Sequence, residues 1–297
     1  MLEYILNFFK KITEEPINIL MHVSDDKLSS LDDLFKRSIN YRDSKNYLEA
    51  LNFIAKIRNV APYNAWLLKE QNPDITYVAT AYEWKKEFNR DVNAKARAYV
   101  ILKAFGPVSF VYDVQDTVGE ELPADIHSFF RADGILKKNM LKAILDCCMK
   151  KGIVVEYDTS LFERQAGWAS HDKLNKTHSI VINANHAPEV QFSTLCHELA
   201  HLMLGHLGKF KNCQCKTPNK QLSEAVEEVE AESVSWLVSQ RLNIQTNADT
   251  YLSSYFGSND EQILQDISID NILTTAGRIE AMIFNKTCYV KKEKKNG

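Results

Sequence analysis

Cys196-His197-Glu198-Leu199-Ala200-His201 sets two imidazoles four positions apart, with a glutamate directly after the first. The surrounding apolar residues Phe192, Leu195, Leu199, Leu202 and Met203 follow helical spacing, so the stretch reads as a helix with a buried face. Residues i and i+4 of a helix share one face, a turn apart. His197 and His201 can therefore point at one ion, and zinc accepts imidazole nitrogen at about 2.0–2.1 Å. Glu198 is displaced around the helix and can take a proton from a water at that ion. Bound zinc lowers the pKa of such a water toward about 7 and polarises a substrate carbonyl. The chemistry predicted is metal-assisted hydrolysis, with His197 and His201 as ligands and Glu198 as general base. Without that role, two unpaired histidines on a buried helix would be costly.

A third ligand is needed. The extension HExxHxxGxxH is excluded: Leu204 and Leu207 occupy the required positions, and Gly205 and His206 are out of register. A glutamate from a following helix remains, and the next apolar-periodic stretch, 221–242, carries Glu224, Glu227, Glu228, Glu230 and Glu232. On a wheel of about 100° per residue, Glu228 and Glu232 lie about 40° apart, beside an apolar arc of Trp236, Val229, Leu222, Val226 and Leu237. Glu230 and Glu227 fall away from that margin. Glu228 is the predicted ligand, with Glu224 as the alternative. Glu232, one turn on, is placed to hold the far nitrogen of a ligand histidine. The other acids read as a solvated face. His171, His178, His186, Tyr251 and Tyr255 are candidate donors to a tetrahedral oxyanion. His206 reads as a helix-end residue favoured by the dipole. Cys213 and Cys215, in the loop between the two helices, could cap the metal.

These residues must be positioned by a folded core. The chain has 297 residues, 45% hydrophobic and 25% charged, which excludes a disordered or fibrous protein. No apolar run reaches membrane-spanning length. The first residues resemble no signal peptide, so a cytoplasmic protein with six reduced cysteines is expected. A net charge of −3 argues against bulk polyanion binding. Helices are predicted at 1–12, 44–58, from Pro62 to about Asn72, and at 136–151, 188–206, 221–242 and 271–285. Strands are predicted at 76–79, 98–103, 108–114, 153–157 and 178–183, with a hairpin at Gly106-Pro107. If strand 178–183 edges its sheet, an extended substrate could pair with it.

The run His197-Glu198-Leu199-Ala200-His201-Leu202-Met203-Leu204-Gly205-His206, followed by Glu228-Val229-Glu230-Ala231-Glu232, resembles the ImmA/IrrE family of zinc metallopeptidases. The resemblance covers about residues 150–245. It implies ligand roles for His197, His201 and Glu228, the base role for Glu198, and cleavage of transcriptional repressors. The long helix departs from that family by ending in Leu237-Val238-Ser239-Gln240-Arg241-Leu242 where a Met-Pro pair is common. The whole chain also resembles ArdC-type antirestriction proteins, through Asn64, Gln71-Asn72-Pro73, Thr76-Tyr77-Val78-Ala79, Trp84, Tyr112-Asp113-Val114 and Glu232 to Leu242. That likeness implies a single-stranded-DNA-binding domain ahead of a zincin-like one. Asn93-Ala94-Lys95-Ala96-Arg97 stands where the group has a Gly-rich basic turn.

Lys85, Lys86, Arg90, Lys95 and Arg97, with Trp84 among neighbouring aromatics, are the residues that would contact such DNA, cations tracking the backbone and rings stacking on bases. The expectation is an α+β chain: a helical extension (1–43), an ArdC-like N-terminal domain (44–120), a linker (121–135), a zincin-like metallopeptidase domain (136–290) and a basic tail (291–297). Its function is predicted to be zinc-dependent endopeptidase action on a protein partner, a regulator. The alternative is a single-stranded-DNA-binding antirestriction-type protein with a structural or regulatory zinc domain.

Overall fold

A computed structural model describes residues 44–103, 106–122, 138–172, 177–208, 222–244 and 260–284. The expected helix at 1–12, the basic tail, Cys213, Cys215, Tyr251 and Tyr255 lie outside these residues.

Helices α1 (Ser44–Lys56) and α2 (Pro62–Gln71) come first. Pro62 suits a first helical turn, where its missing N–H leaves no bond unmade. The predicted apolar face of α1, Tyr47, Leu51 and Ile54, is buried. After β1 (Val78–Ala79) follow α3 (Ala81–Phe88), β2 (Arg90–Val92), β3 (Tyr99–Lys103), β4 (Gly106–Asp113) and β5 (Thr117–Gly119). One sheet has the antiparallel order β1-β4-β3, and β2 pairs with β5. Strand β4 begins at Gly106, so Gly106-Pro107 belongs to the strand rather than to the turn.

The open edge of β3 is covered by side chains of α2. Asn64 exchanges two hydrogen bonds with the backbone of Leu102, at 2.9 and 3.0 Å. Gln71, two helical turns on, exchanges two with Val100, both at 2.8 Å. The two amides stand in for a neighbouring strand and blunt the edge. Helix α3 is absent from the sequence-based expectations. It is short, but Thr80 and Glu83 form a capping box at its start, a signal present in the sequence.

The second half holds α4 (Lys138–Lys150), β6 (Ile153–Asp158), β7 (Gly167–Asp172), β8 (Thr177–Asn183), α5 (Pro188–Leu204), α6 (Glu224–Arg241), α7 (Asp260–Asp266) and α8 (Ile269–Ile283). The sheet order is β6-β8-β7, with β6 parallel and β7 antiparallel to β8. This corrects the expectation that 178–183 edges its sheet: β8 is central, and β7 is an edge. The run Ile180-Val181-Ile182 suits a strand flanked on both sides. Gly-Trp-Ala-Ser-His-Asp lacks β-branched residues, so β7 carries little strand signal of its own.

Helix α4 packs along β6, α5 lies across β7 and β8, α6 lies against α5, and α8 touches α2, α4, α5 and α6. One continuous apolar core joins α1 and α2 to α5, α6 and α8. Arg241, at the end of α6, is buried; it donates to the carbonyls of Ile54 and Ile57 at 2.8 and 2.7 Å and pairs with Glu280 of α8. It thereby satisfies carbonyls left open at the end of α1. The architecture is α+β, as expected. Among the described residues no helix is long and apolar enough to cross a membrane. Cys147 is disulfide-bonded, so the expectation of reduced thiols fails for that residue, while Cys148 and Cys196 are free and buried.

Candidate metal centre

Pro188 starts α5 and Gly205 ends it with a left-handed φ of 86°, a conformation glycine adopts without strain. Between them the helix buries Phe192, Leu195, Leu199 and Leu202 and turns His197 and His201 toward α6. Ser223 caps α6, its hydroxyl accepting from the Val226 N–H. Nε2 of His197 and Nε2 of His201 lie 3.0 Å apart. Glu228 reaches both, with Oε2 3.4 Å from Nε2 of His197 and Oε1 3.4 Å from Nε2 of His201. Tetrahedral bonds of about 2.0–2.1 Å separate ligand atoms by about 3.3–3.4 Å. The three side chains are therefore spaced to share one divalent cation, and they form the His/Glu group that could hold a metal among the described residues. Glu224 is exposed in the first turn of α6 and outside this group.

Electrostatics favour a cation there. Burial opposes protonating His197, yet Glu228, Glu232 and Glu198 outweigh it and raise its pKa to about 10. The same negative field attracts a metal cation. Burial, with His197 and His206 alongside, lowers His201 to about 3, so its ring is neutral and free to ligate. The bond from His197 draws the Glu228 carboxyl down and keeps it ionised. Glu198 is 9% exposed. Burial raises its pKa, with His197 and a hydrogen bond from the backbone of Ala169 pulling the other way.

Glu232 lies 3.0 Å from Nδ1 of His197, at the far nitrogen as expected. The site opens into a cleft of about 790 Å³ whose walls include Gly167, Trp168 and Ala169 of edge strand β7, Val190, Thr194 and Arg164. A side chain at Gly167 would overlap the Val181 carbonyl and the Thr194 methyl, so glycine lets β7 approach both α5 and β8.

Other predicted residues lie elsewhere. His171 and His178 stack at 4.3 Å as a cross-strand pair, and neither lines the cleft. Trp84 is 0% exposed, packs with Tyr77 and Phe88, and donates to the Tyr112 carbonyl at 2.9 Å. It cannot stack on a base, which corrects its assignment as a nucleic-acid contact. Arg90 is spent on Thr117 and the Glu120 carbonyl. Lys85 pairs with Asp91 at 2.8 Å, and Lys86 with Glu87 at 3.3 Å. Lys95 is exposed, and the exposed Arg97 lies over the Tyr99 ring.

His206 stands just past the end of α5, as expected of a helix-end residue, but it is buried, and Glu230 is not on a solvated face: their side chains are 1% and 4% exposed and meet at 3.0 Å. The signal for Glu230 lay on the wheel, where it borders the far side of the apolar arc that Glu232 borders on the near side.

Residues 148–232 match the model of the IrrE N-terminal-like domain (Peptidase_M78), a span that holds the ligand set and Glu198. Among solved structures, the chain is similar to the antirestriction protein ArdC from plasmid R388. The metal-free form is 14% identical over 75% of this chain and 83% of that one, with a TM-score of 0.36. The Mn(II)-bound form is 16% identical over 77% and 84%, with a TM-score of 0.38. No curated protein matches the chain.

Proposed function

We propose that this protein is a zinc-dependent endopeptidase that cleaves a protein partner, a transcriptional repressor or another regulator. The observation that carries the reading is the convergence of His197, His201 and Glu228 beside the buried Glu198, on a cleft walled by a sheet edge. The peptidase domain model over 148–232 supports the same chemistry. Two imidazoles and one carboxylate suit zinc, with a fourth position left for water or substrate. When bound, the metal supplies Lewis acidity that activates water and polarises the scissile carbonyl.

The chain's own residues do the rest. Hydrolysis joins the hydroxyl of water to the acyl carbon and breaks the C–N bond. Glu198 takes the water's proton and hands it to the leaving nitrogen; its raised pKa brings it closer to that task. Among the described residues β7 is an edge strand, and its outer main chain can receive an extended peptide, the part expected of 178–183. Trp168, 42% exposed, offers an apolar face beside it.

The test is cleavage of a proteome-derived peptide library by zinc-loaded protein, compared with Glu198→Gln. New termini from wild type alone support the reading; equal products, or none from either protein, defeat it.

A further inference from the structure

The two metal-facing histidines are held differently. His197 meets a carboxylate directly, whereas His201 faces another histidine. Nδ1 of His206 lies 2.9 Å from Nδ1 of His201. Nε2 of His206 lies 3.0 Å from one oxygen of Glu230. The other oxygen accepts from the N–H of Ser268, the residue that caps α8. Gly205 makes this possible: its left-handed turn brings His206 back beneath His201, where the His206 N–H donates to the His201 carbonyl at 3.1 Å.

With the His206 ring neutral, the hydrogen-bond chain admits one order. A carboxylate only accepts, so Nε2 of His206 carries a hydrogen. In a neutral imidazole, Nδ1 of His206 is then the acceptor. The hydrogen between the rings must belong to Nδ1 of His201. That leaves a lone pair on Nε2 of His201, the nitrogen that faces His197 and Glu228.

We propose that His206 and Glu230 are positioning residues of the metal centre: Glu230, through His206, holds His201 in its ligating tautomer and ties it to the start of α8. This rests on the metal-site reading above. Helix α6 then serves one centre three times, with Glu228 toward the ion, Glu232 behind His197, and Glu230 behind His201 through His206. Residues behind metal ligands raise ligand basicity and fix ring orientation.

The test is zinc affinity, read by competition with a chromophoric chelator, in wild type, Glu230→Met, His206→Leu and His206→Asn, each checked for folding by circular dichroism. Glu230→Met, which offers Nε2 of His206 no carboxylate, and His206→Leu are expected to weaken zinc binding about 10–100-fold. The oxygen of Asn can accept from Nδ1 of His201, so His206→Asn is expected to recover part of the loss; a merely space-filling role for His206 would not separate Asn from Leu. The absorption of the cobalt(II)-loaded protein should shift with the same ranking. Unchanged affinity in folded Glu230→Met, beside a wild type that binds zinc, overturns the proposal alone. Glu230→Met also decides the matter if His206→Leu does not fold. A wild type that binds no zinc defeats the metal site itself, and the proposal with it.

Discussion

Oε2 of Glu232 lies 3.0 Å from Nδ1 of His197, while Oε2 of Glu228, one turn earlier on the same helix, lies 3.4 Å from Nε2 of the same ring. One helix thus grips both ends of an imidazole presented by another. Glu232→Ala is expected to weaken zinc binding about 10–100-fold, with Glu232→Gln in between. Chelator competition measures it; equal affinity in all three proteins would mean that packing alone orients the ring.

Glu198 is outside the ligand triangle, yet it lies next to His197 in sequence, interacts with its charge and is buried. Glu198→Gln should retain zinc and lower peptide cleavage by about 10²–10⁴-fold. Metal content and turnover, measured on the same preparation, separate the two roles.

Arg241 tests how the N-terminal helices are joined to the site-bearing ones. Its side chain is 3% exposed and pairs with that of Glu280, 13% exposed. Removing one partner of such a pair strands the other, and Arg241→Met is expected to cost about 3–5 kcal/mol. Urea unfolding checks it; a change well under that range would show that Glu280 finds another partner.

The His171–His178 stack gives a pH signature. Burial and His171 hold His178 below its ordinary value of 6.5. The unfolded chain therefore takes up a proton near pH 6.5 that the folded chain resists. The contribution to stability is full above about pH 6.5 and declines as pH falls toward the lower folded value. Unfolding free energies from about pH 8 to pH 5 should fall more steeply for wild type than for His178→Gln. Parallel curves would show that the imidazole titrates normally.

Trp84 belongs to the small core beneath α3, and Trp84→Ala is expected to cost about 3–5 kcal/mol of stability. Thermal or urea unfolding reads this without nucleic acid present. A stable variant would place the ring outside the core.

The helices that carry the site were legible because they run for 17 and 18 residues with no interior Gly or Pro and their ends are marked by Pro188, Gly205 and Ser223. The spacing of His197, Glu198 and His201 lies within one helical turn, and Glu228 and Glu232 share a face of the next helix, where the wheel ranked Glu228 ahead of Glu224; their convergence on one point comes from the packing of α5 against α6. His206 and Glu230 were not legible in the same way. Their contact depends on a left-handed turn and on how α5, α6 and α8 meet, and an acid bordering an apolar arc looks solvated until the neighbouring helix is in place. The edge strand β7 escaped because its pairing with β8, not its own propensity, makes it a strand. Trp84 misled because an aromatic among lysines suits a base-stacking surface and a small core equally well.

One metal site built by two helices underlies the proposed chemistry, and elemental analysis of protein purified without chelators tests it most directly. Wild type is predicted to carry zinc in equimolar amount, with the metal lost in His197→Ala and in Glu228→Ala and kept in Glu198→Gln. Wild type free of metal, or an equimolar metal that persists when His197 and Glu228 are replaced, would contradict it.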